Sequence, residues 1–303
     1  MRHFLNIADH SSDTIRYMLE VGIKLRDERR RGIGNEPMLA GKTLAMLFQK
    51  PSLRTRVSFE QAMNELGGHA IVLGQNEVGL GDRESVGDVT RVLAGMVDGI
   101  AARVFKHEHL VEMSTSSTVP IVNMLSDHSH PAQALADAMT IIDEFSPSPE
   151  LGGFDVAGRT VAFVGDGNNV ARSLAAICRA LGMNFTLASP EGYALPQDDF
   201  MKITKDPEEA VRGADVIYAD TFVSMGEEGE KEAKLKAFEG FQINRPLVNQ
   251  AAEHAIVLHC LPAYRGVEIT DQVIDGPSSR VFSQAHNRLH AQKGLLAVLM
   301  GGV

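Results

Sequence analysis

The chain reads as an α/β protein of two domains, each a parallel β-sheet flanked by helices. Three observations predict this. Apolar runs of strand length alternate with segments of helical periodicity, polar motifs stand at the ends of those runs, and one Pro-, Gly- and Ser-rich stretch, SPSPELGGFD at 146–155, divides the alternation in two. A length of 303 residues is enough for two buried cores.

Thr43 to Phe48 (TLAMLF) is the first strand. A helix from Arg54 to Leu66 follows, with Val57, Phe59, Ala62, Met63 and Leu66 on one face. HAIVL at 69–73, a helix from Glu84 to Met96, GIAARVF at 99–105 and PIVNM at 120–124 continue the alternation. A helix from His130 to Ile142 carries Leu135, Ala138, Met139 and Ile142 on one side. Beyond the linker, TVAFVGDGNN at 160–169 is a buried strand ending in a glycine turn. A helix over about 170–181, then NFTLAS, DVIYAD and AIVLHCLP, complete the second half. Leu289 to Met300 is expected as a C-terminal helix. The expected domains are 1–145, with a C-terminal helix of about 287–303 packing back on it, and 146–286. Ligands should gather at the carboxyl ends of the strands.

Composition narrows the function. No apolar run reaches the roughly 20 residues of a membrane span, and the N-terminus lacks a signal-peptide core, so a cytoplasmic location is expected. A formal charge of −10 argues against broad nucleic-acid binding, though a few arginines can still make a local anion pocket. Cys178 and Cys260 are the two cysteines, too far apart for a disulfide framework or a thiolate zinc site.

Five motifs carry chemistry. In Ser52-Leu-Arg-Thr-Arg56 a serine stands at a helix N-cap, so helix-start N–H groups, hydroxyls and guanidiniums would converge on an anion; the alternative is an ordinary capped helix with solvated arginines. Arg103 places another cation at a strand end. His130-Pro-Ala-Gln133 opens a helix whose dipole favours a neutral imidazole, which suits donation to a carbonyl, or else His130 merely caps the helix. His128 and His130 lack acidic or thiol companions for a metal. The turn at Gly165, Gly167, Asn168 and Asn169 matches only part of a dinucleotide fingerprint; its asparagines suit an amino-acid-like ligand. Asp220, with Ser224-Met-Gly226, follows a strand and can hold an ammonium or act as a turn aspartate. His259-Cys-Leu-Pro262 ends the next run; neighbours on a strand face opposite ways, so His259 is poorly placed as a base for Cys260. Glu227 to Gly240 is charge-dense, a solvated helix or a lid.

In this order the motifs resemble those of the ornithine carbamoyltransferases: S-x-R-T-R, H-P-x-Q, the N-N turn, D-x-x-x-S-M-G and H-C-L-P, with a late arginine at Arg288. H-C-L-P and S-M-G separate that group from the aspartate carbamoyltransferases. The resemblance implies that Ser52, Leu53, Arg54, Thr55, Arg103, His130, Gln133, Cys260, Leu261 and Arg288 bind carbamoyl phosphate. It implies that Asn169, Asp220, Ser224 and Met225 bind L-ornithine, with Arg103, His130, Gln133, Asp220 and Cys260 catalytic. It further implies direct attack by the δ-amine to give citrulline and phosphate, no metal or cofactor, and a homotrimer or a multiple of trimers. Where the family usually carries a Gln or His that reaches a neighbouring subunit, this chain has Gly79. The alternatives are a carbamoyltransferase for putrescine or an N-acylated ornithine, an NAD(P)-dependent oxidoreductase, and a non-catalytic protein of the same fold.

Overall fold

The computed structural model describes residues 2–146, 154–223 and 228–302. They form two compact units. One comprises the chain up to Met139 with His286–Val303; the other comprises Thr140–Ser146 with Asp155–Ala285. No helix among the described residues is long and apolar enough to cross a membrane.

The first unit holds β1 (Thr43–Phe48), β2 (His69–Gly74), β3 (Gly99–Arg103) and β4 (Ile121–Leu125), all parallel in the order β2-β1-β3-β4. The second holds β5 (Thr160–Val164), β6 (Asn184–Ala188), β7 (Lys202–Thr204), β8 (Val216–Ala219) and β9 (Ile256–His259), all parallel in the order β7-β6-β5-β8-β9. Parallel strands covered on both faces need continuous apolar runs, and LAMLF of β1 and VIYA of β8 are buried throughout. Each sheet has cores of its own: Leu47, Ile100, Leu110 and Met113 belong to one, and Val164, Ile217, Val257 and Phe238 to another. Strand order reverses at β1 and at β5. Those reversals open crevices at the carboxyl ends of β1 and β3 and of β5 and β8.

Helix ends follow their caps. Ser52 Oγ accepts the Thr55 N–H at 3.4 Å and starts the helix Leu53–Glu65. Ser85 starts Val86–Ala94, shorter than the expected 84–96 because Gly95 terminates it. Asn168 accepts from the Val170 and Ala171 N–H groups, and Gly182 in the left-handed conformation closes the helix Asn169–Leu181.

Several features depart from the sequence expectation. The helix after His130 runs Pro131–Phe145, and the division between units falls inside it rather than at 145. Its last residues pack with the second unit: Glu144 accepts from Arg280 at 2.5 Å, and Phe145 lies 5.8 Å from the His254 ring and under Arg159. The last long helix is Val281–Leu296, followed by a π-helical turn at Ala297–Gly301, and so starts eight residues before Leu289. Its apolar stripe is masked because Gln284, Asn287, Arg288, Gln292 and Lys293 are themselves buried. The helix Ser12–Arg30, which buries Ile15, Leu19 and Ile23, and the three-residue β7 also lie outside the expectation. Within 227–240, the helix Lys231–Ala237 is not simply solvated: Lys234 is buried and donates to Asp166 Oδ2 at 2.6 Å. Residues 147–153 of the linker lie outside the described residues.

The turn after β5 depends on a missing side chain. Gly167 donates its N–H to Tyr193 O at 2.7 Å, and a Cβ there would stand 2.4 Å from Leu195 N. Backbone on both sides leaves nothing flexible to yield. Gly167→Ala should therefore lower unfolding free energy by about 2 kcal/mol in urea titration, a typical overpacking cost. Unchanged stability would show that the turn relaxes freely.

Candidate active site

In the first unit, four of the expected residues join in one hydrogen-bonded chain. Ser52 Oγ donates to Thr55 Oγ1 at 3.0 Å, and Arg288 donates to Thr55 Oγ1 at 2.8 Å and to Gln133 Oε1. Gln133 in turn donates to Asp137 Oδ1 at 2.8 Å. Thr55, Gln133, Asp137 and Arg288 are all buried. Asp137 was not foreseen, because an aspartate one helical turn after Gln133 has no motif of its own; the i,i+4 spacing was its only signal.

His130 ends the loop after β4, and its carbonyl accepts the Gln133 and Ala134 N–H groups at 3.1 and 3.2 Å, which places it at the helix N-cap. Burial holds its imidazole well below the ordinary histidine pKa, and the positive charges of Arg288 and Arg103 depress it further. The ring is therefore neutral, with a single N–H to donate. Arg103 is the last residue of β3, and its carbonyl accepts the Gln49 N–H at 2.9 Å. Arg54 is half-buried on the first turn of its helix; its carbonyl accepts from Ser58 Oγ at 2.7 Å, and its guanidinium makes no hydrogen bond or ion pair to the described residues. Arg56 points elsewhere: it is exposed and pairs with Glu60 at 3.2 Å, so of the motif's two guanidiniums that of Arg54 alone is left available at the helix start among the described residues. Leu53 is 75% exposed, which leaves its backbone N–H as the group facing a helix-start anion.

In the second unit, a buried carboxylate takes the central place. Asp220 follows β8. Its Oδ2 accepts from Asn168 Nδ2 at 2.7 Å, and its Oδ1 accepts from the Thr221 N–H at 2.8 Å and the Cys260 thiol at 3.0 Å. Asn168 thus caps a helix with its oxygen and orients Asp220 with its nitrogen. Asn169 begins the same helix. Ser224 and Met225 lie outside the described residues.

His259 does not serve Cys260. Its Nδ1 accepts the Leu261 N–H at 2.9 Å, which leaves Nε2 to donate to Glu268 Oε1 at 3.1 Å. That oxygen also accepts the Tyr264 N–H at 2.6 Å. The buried Glu268–His259 pair therefore braces the loop in which Leu261 holds a left-handed φ of 57°. Asp220, His259 and Cys260 bring ligand-type atoms within 4.8 Å of one another. With both ring nitrogens of His259 in hydrogen bonds, this set is a polar network rather than a set of open metal ligands.

The glycine turn does not present a dinucleotide site. The segment at Tyr193 to Leu195 covers Gly167, and Asn168 already satisfies the helix-start N–H groups that a pyrophosphate would need.

Residues 2–143 match a family model described as the carbamoyl-P binding domain of aspartate/ornithine carbamoyltransferase, and residues 157–299 match its Asp/Orn binding domain. The ornithine carbamoyltransferase of Methanopyrus kandleri is 44% identical over 99% of this chain and 97% of its own. The solved ornithine carbamoyltransferase of Pyrococcus furiosus is 44% identical with a TM-score of 0.92, covering 100% of this chain and 98% of that one. The anabolic enzyme of Campylobacter jejuni is 38% identical with a TM-score of 0.90, covering 99% of each chain.

The neutral His130 gives a direct test. Because its pKa is lowered, the folded protein disfavours the protonated ring, and the unfolded chain takes up that proton below about pH 6.5. His130 should show no NMR titration between about pH 6 and 8. Its contribution to stability should be full above that range and fall as the solution is acidified. A His130 resonance titrating with an ordinary midpoint would refute the neutral-donor assignment.

Proposed function

The chain belongs to the aspartate/ornithine carbamoyltransferase family, and from that premise we propose that it transfers the carbamoyl group of carbamoyl phosphate to the δ-amine of L-ornithine, giving L-citrulline and phosphate. The observation that carries this reading is the chemistry that each unit holds at its strand ends. One unit holds a cationic, donor-rich helix start; the other holds a carboxylate bound by Asn168, Thr221 and Cys260. The relatives named anabolic support a place in arginine biosynthesis.

In this reading the first unit is the carbamoyl-phosphate domain. Ser52, Arg54, Thr55 and the N–H groups of the following turn, Leu53 included, bind the phosphate, and Arg288 is locked beside them by Thr55 and Gln133. Arg103, neutral His130 and Gln133 donate toward the carbamoyl oxygen as negative charge develops there. The second unit binds ornithine through Asn169, Asp220, Ser224 and Met225, and Cys260 with Leu261 lies against the reactants. Asp220 and Cys260 steer the δ-amine. The neutral amine attacks the carbamoyl carbon, the C–O bond to phosphate breaks, and the departing phosphate accepts the amine proton. Alignment of two bound reactants then supplies much of the rate.

A covalent route through Cys260 is less well supported. Its thiol donates to a carboxylate at 3.0 Å, whereas a nucleophile must be the thiolate.

The protein should work as a homotrimer or a multiple of trimers in the cytoplasm. Exposed apolar residues in the first unit support assembly: Leu53 and Val57, four apart on one face of the helix Leu53–Glu65, and the exposed Val92 and Met96. Light scattering on the active protein checks this, and turnover by a monomer would overturn it.

The chemistry is tested by supplying carbamoyl phosphate with ornithine, putrescine or an N-acylated ornithine and scoring the carbamoylated product. Citrulline alone is expected. Arg54→Ala should weaken carbamoyl phosphate binding by about 2–5 kcal/mol, and Asp220→Asn should weaken ornithine use by a similar amount. Apparent ornithine affinity should improve from about pH 7 to 9, since the amine titrates near the lysine value. Product from another amine, or a carbamoyl adduct on Cys260 that decays at the turnover rate, would overturn the reading.

A further inference from the structure

Lys293 is completely buried in the first unit, and every proton of its ammonium is engaged. Nζ donates to Asn35 Oδ1 at 2.6 Å, Glu65 Oε2 at 2.8 Å and Leu25 O at 3.4 Å. The three acceptors come from the helix Ser12–Arg30, the segment after it, and the end of the helix Leu53–Glu65. Glu65 is the last residue of that helix, where a negative charge opposes the dipole. Its Oε1 also accepts from Arg29 and Gln61, each at 2.9 Å. Burial works against the carboxylate, but hydrogen bonds from Gln61, Lys293 and Arg29 bring its pKa down to about 2.

Five residues before Lys293 on the same helix, Arg288 donates to Thr55 and Gln133. The helix Leu53–Glu65 is thus tied at Thr55 and at Glu65, points about 15 Å apart along its axis. The neighbouring crossing is lined by glycine. A Cβ on Gly294 would stand 2.2 Å from Met18 O and 2.8 Å from Gly22 N, and one on Gly22 would stand 2.9 Å from His290 O. Those glycines fix where the last helix crosses Ser12–Arg30, since a Cβ brought there by a shifted register would clash, but they make no contact that sets its register against Leu53–Glu65. A buried ion pair adds little net stability, because desolvation offsets its attraction; what three directed bonds do supply is a single register.

We infer that Lys293 is a positioning residue for carbamoyl phosphate, whose bond to Glu65 holds the helix bearing Arg288 in register with the helix whose first turn forms the anion pocket. The inference rests on the substrate reading above. Lys293→Met should raise the KM for carbamoyl phosphate roughly tenfold, as small misplacements of binding groups do, and leave the KM for ornithine unchanged. Because the single variant leaves Glu65 Oε2 without its buried donor, the double variant Lys293→Met/Glu65→Met is made alongside it. It should recover the melting temperature while keeping the raised KM. Calorimetry with inorganic phosphate reads the same pocket whatever the acceptor amine. Failure of the ornithine reading would appear as no citrulline from the unaltered enzyme. Failure of this inference would appear as unchanged phosphate affinity in both variants, or as a double variant that regains stability and phosphate affinity together.

Discussion

Positive charge buried at the carboxyl ends of parallel strands is the constraint on which the first unit depends. A guanidinium withdrawn from water is tolerated only when its donors are met. Arg288 directs its two terminal nitrogens to Thr55 and Gln133, and Gln133 is itself held by Asp137. One bond chain therefore fixes the hydroxyl of the helix cap, the amide of the next motif and the late arginine. Burial first, and then the charges of Arg288 and Arg103, keep His130 neutral, so a ring that would otherwise titrate near physiological pH becomes a constant donor. In the proposed reading these donors are fixed in place before an anion arrives, which is what electrostatic catalysis requires.

The second unit meets the opposite requirement, a carboxylate held out of water. Among the described residues, Asp220 is held by an amide, a backbone N–H and a thiol, which in the proposed reading leaves its charge for a substrate ammonium. Asn168 is the economical part of this arrangement, since it caps the helix and orients the carboxylate at once. Two further buried pairs brace the surrounding loops. Glu268 with His259 holds the backbone after Cys260, and Lys234 with Asp166 holds the turn before Asn168. Both put ionisable side chains where apolar packing would be more stable, a pattern that fits selection for geometry over stability.

Most of the strand framework was legible from sequence. TLAMLF, TVAFV, DVIYAD and AIVLH are continuous apolar runs because both faces of a covered parallel sheet are buried, and such runs stand out from their surroundings. Ser52, His130, Asn168, Asp220 and Cys260 were legible as candidates because each follows an apolar run, where parallel topology puts ligands. The helix Val281–Leu296 was only half legible: its buried Gln284, Asn287, Arg288, Gln292 and Lys293 erase the apolar stripe by which a buried helix is normally read.

What the sequence determined by itself was therefore the α/β class, the order of the strands along the chain and the chemical types gathered at their ends, since these follow from local patterning. Which side chains meet was decided only by the tertiary structure. Arg56 and Arg54 are two residues apart in one motif, yet a helix turns one toward Glu60 and solvent and leaves the other half-buried at the helix start. Thr55 and Arg288 lie far apart in the chain and meet in a bond of 2.8 Å. Lys293 and Glu65 carry no motif at all; they pair because the fold brings the last helix against both Ser12–Arg30 and the end of Leu53–Glu65, where one ammonium reaches three acceptors at once.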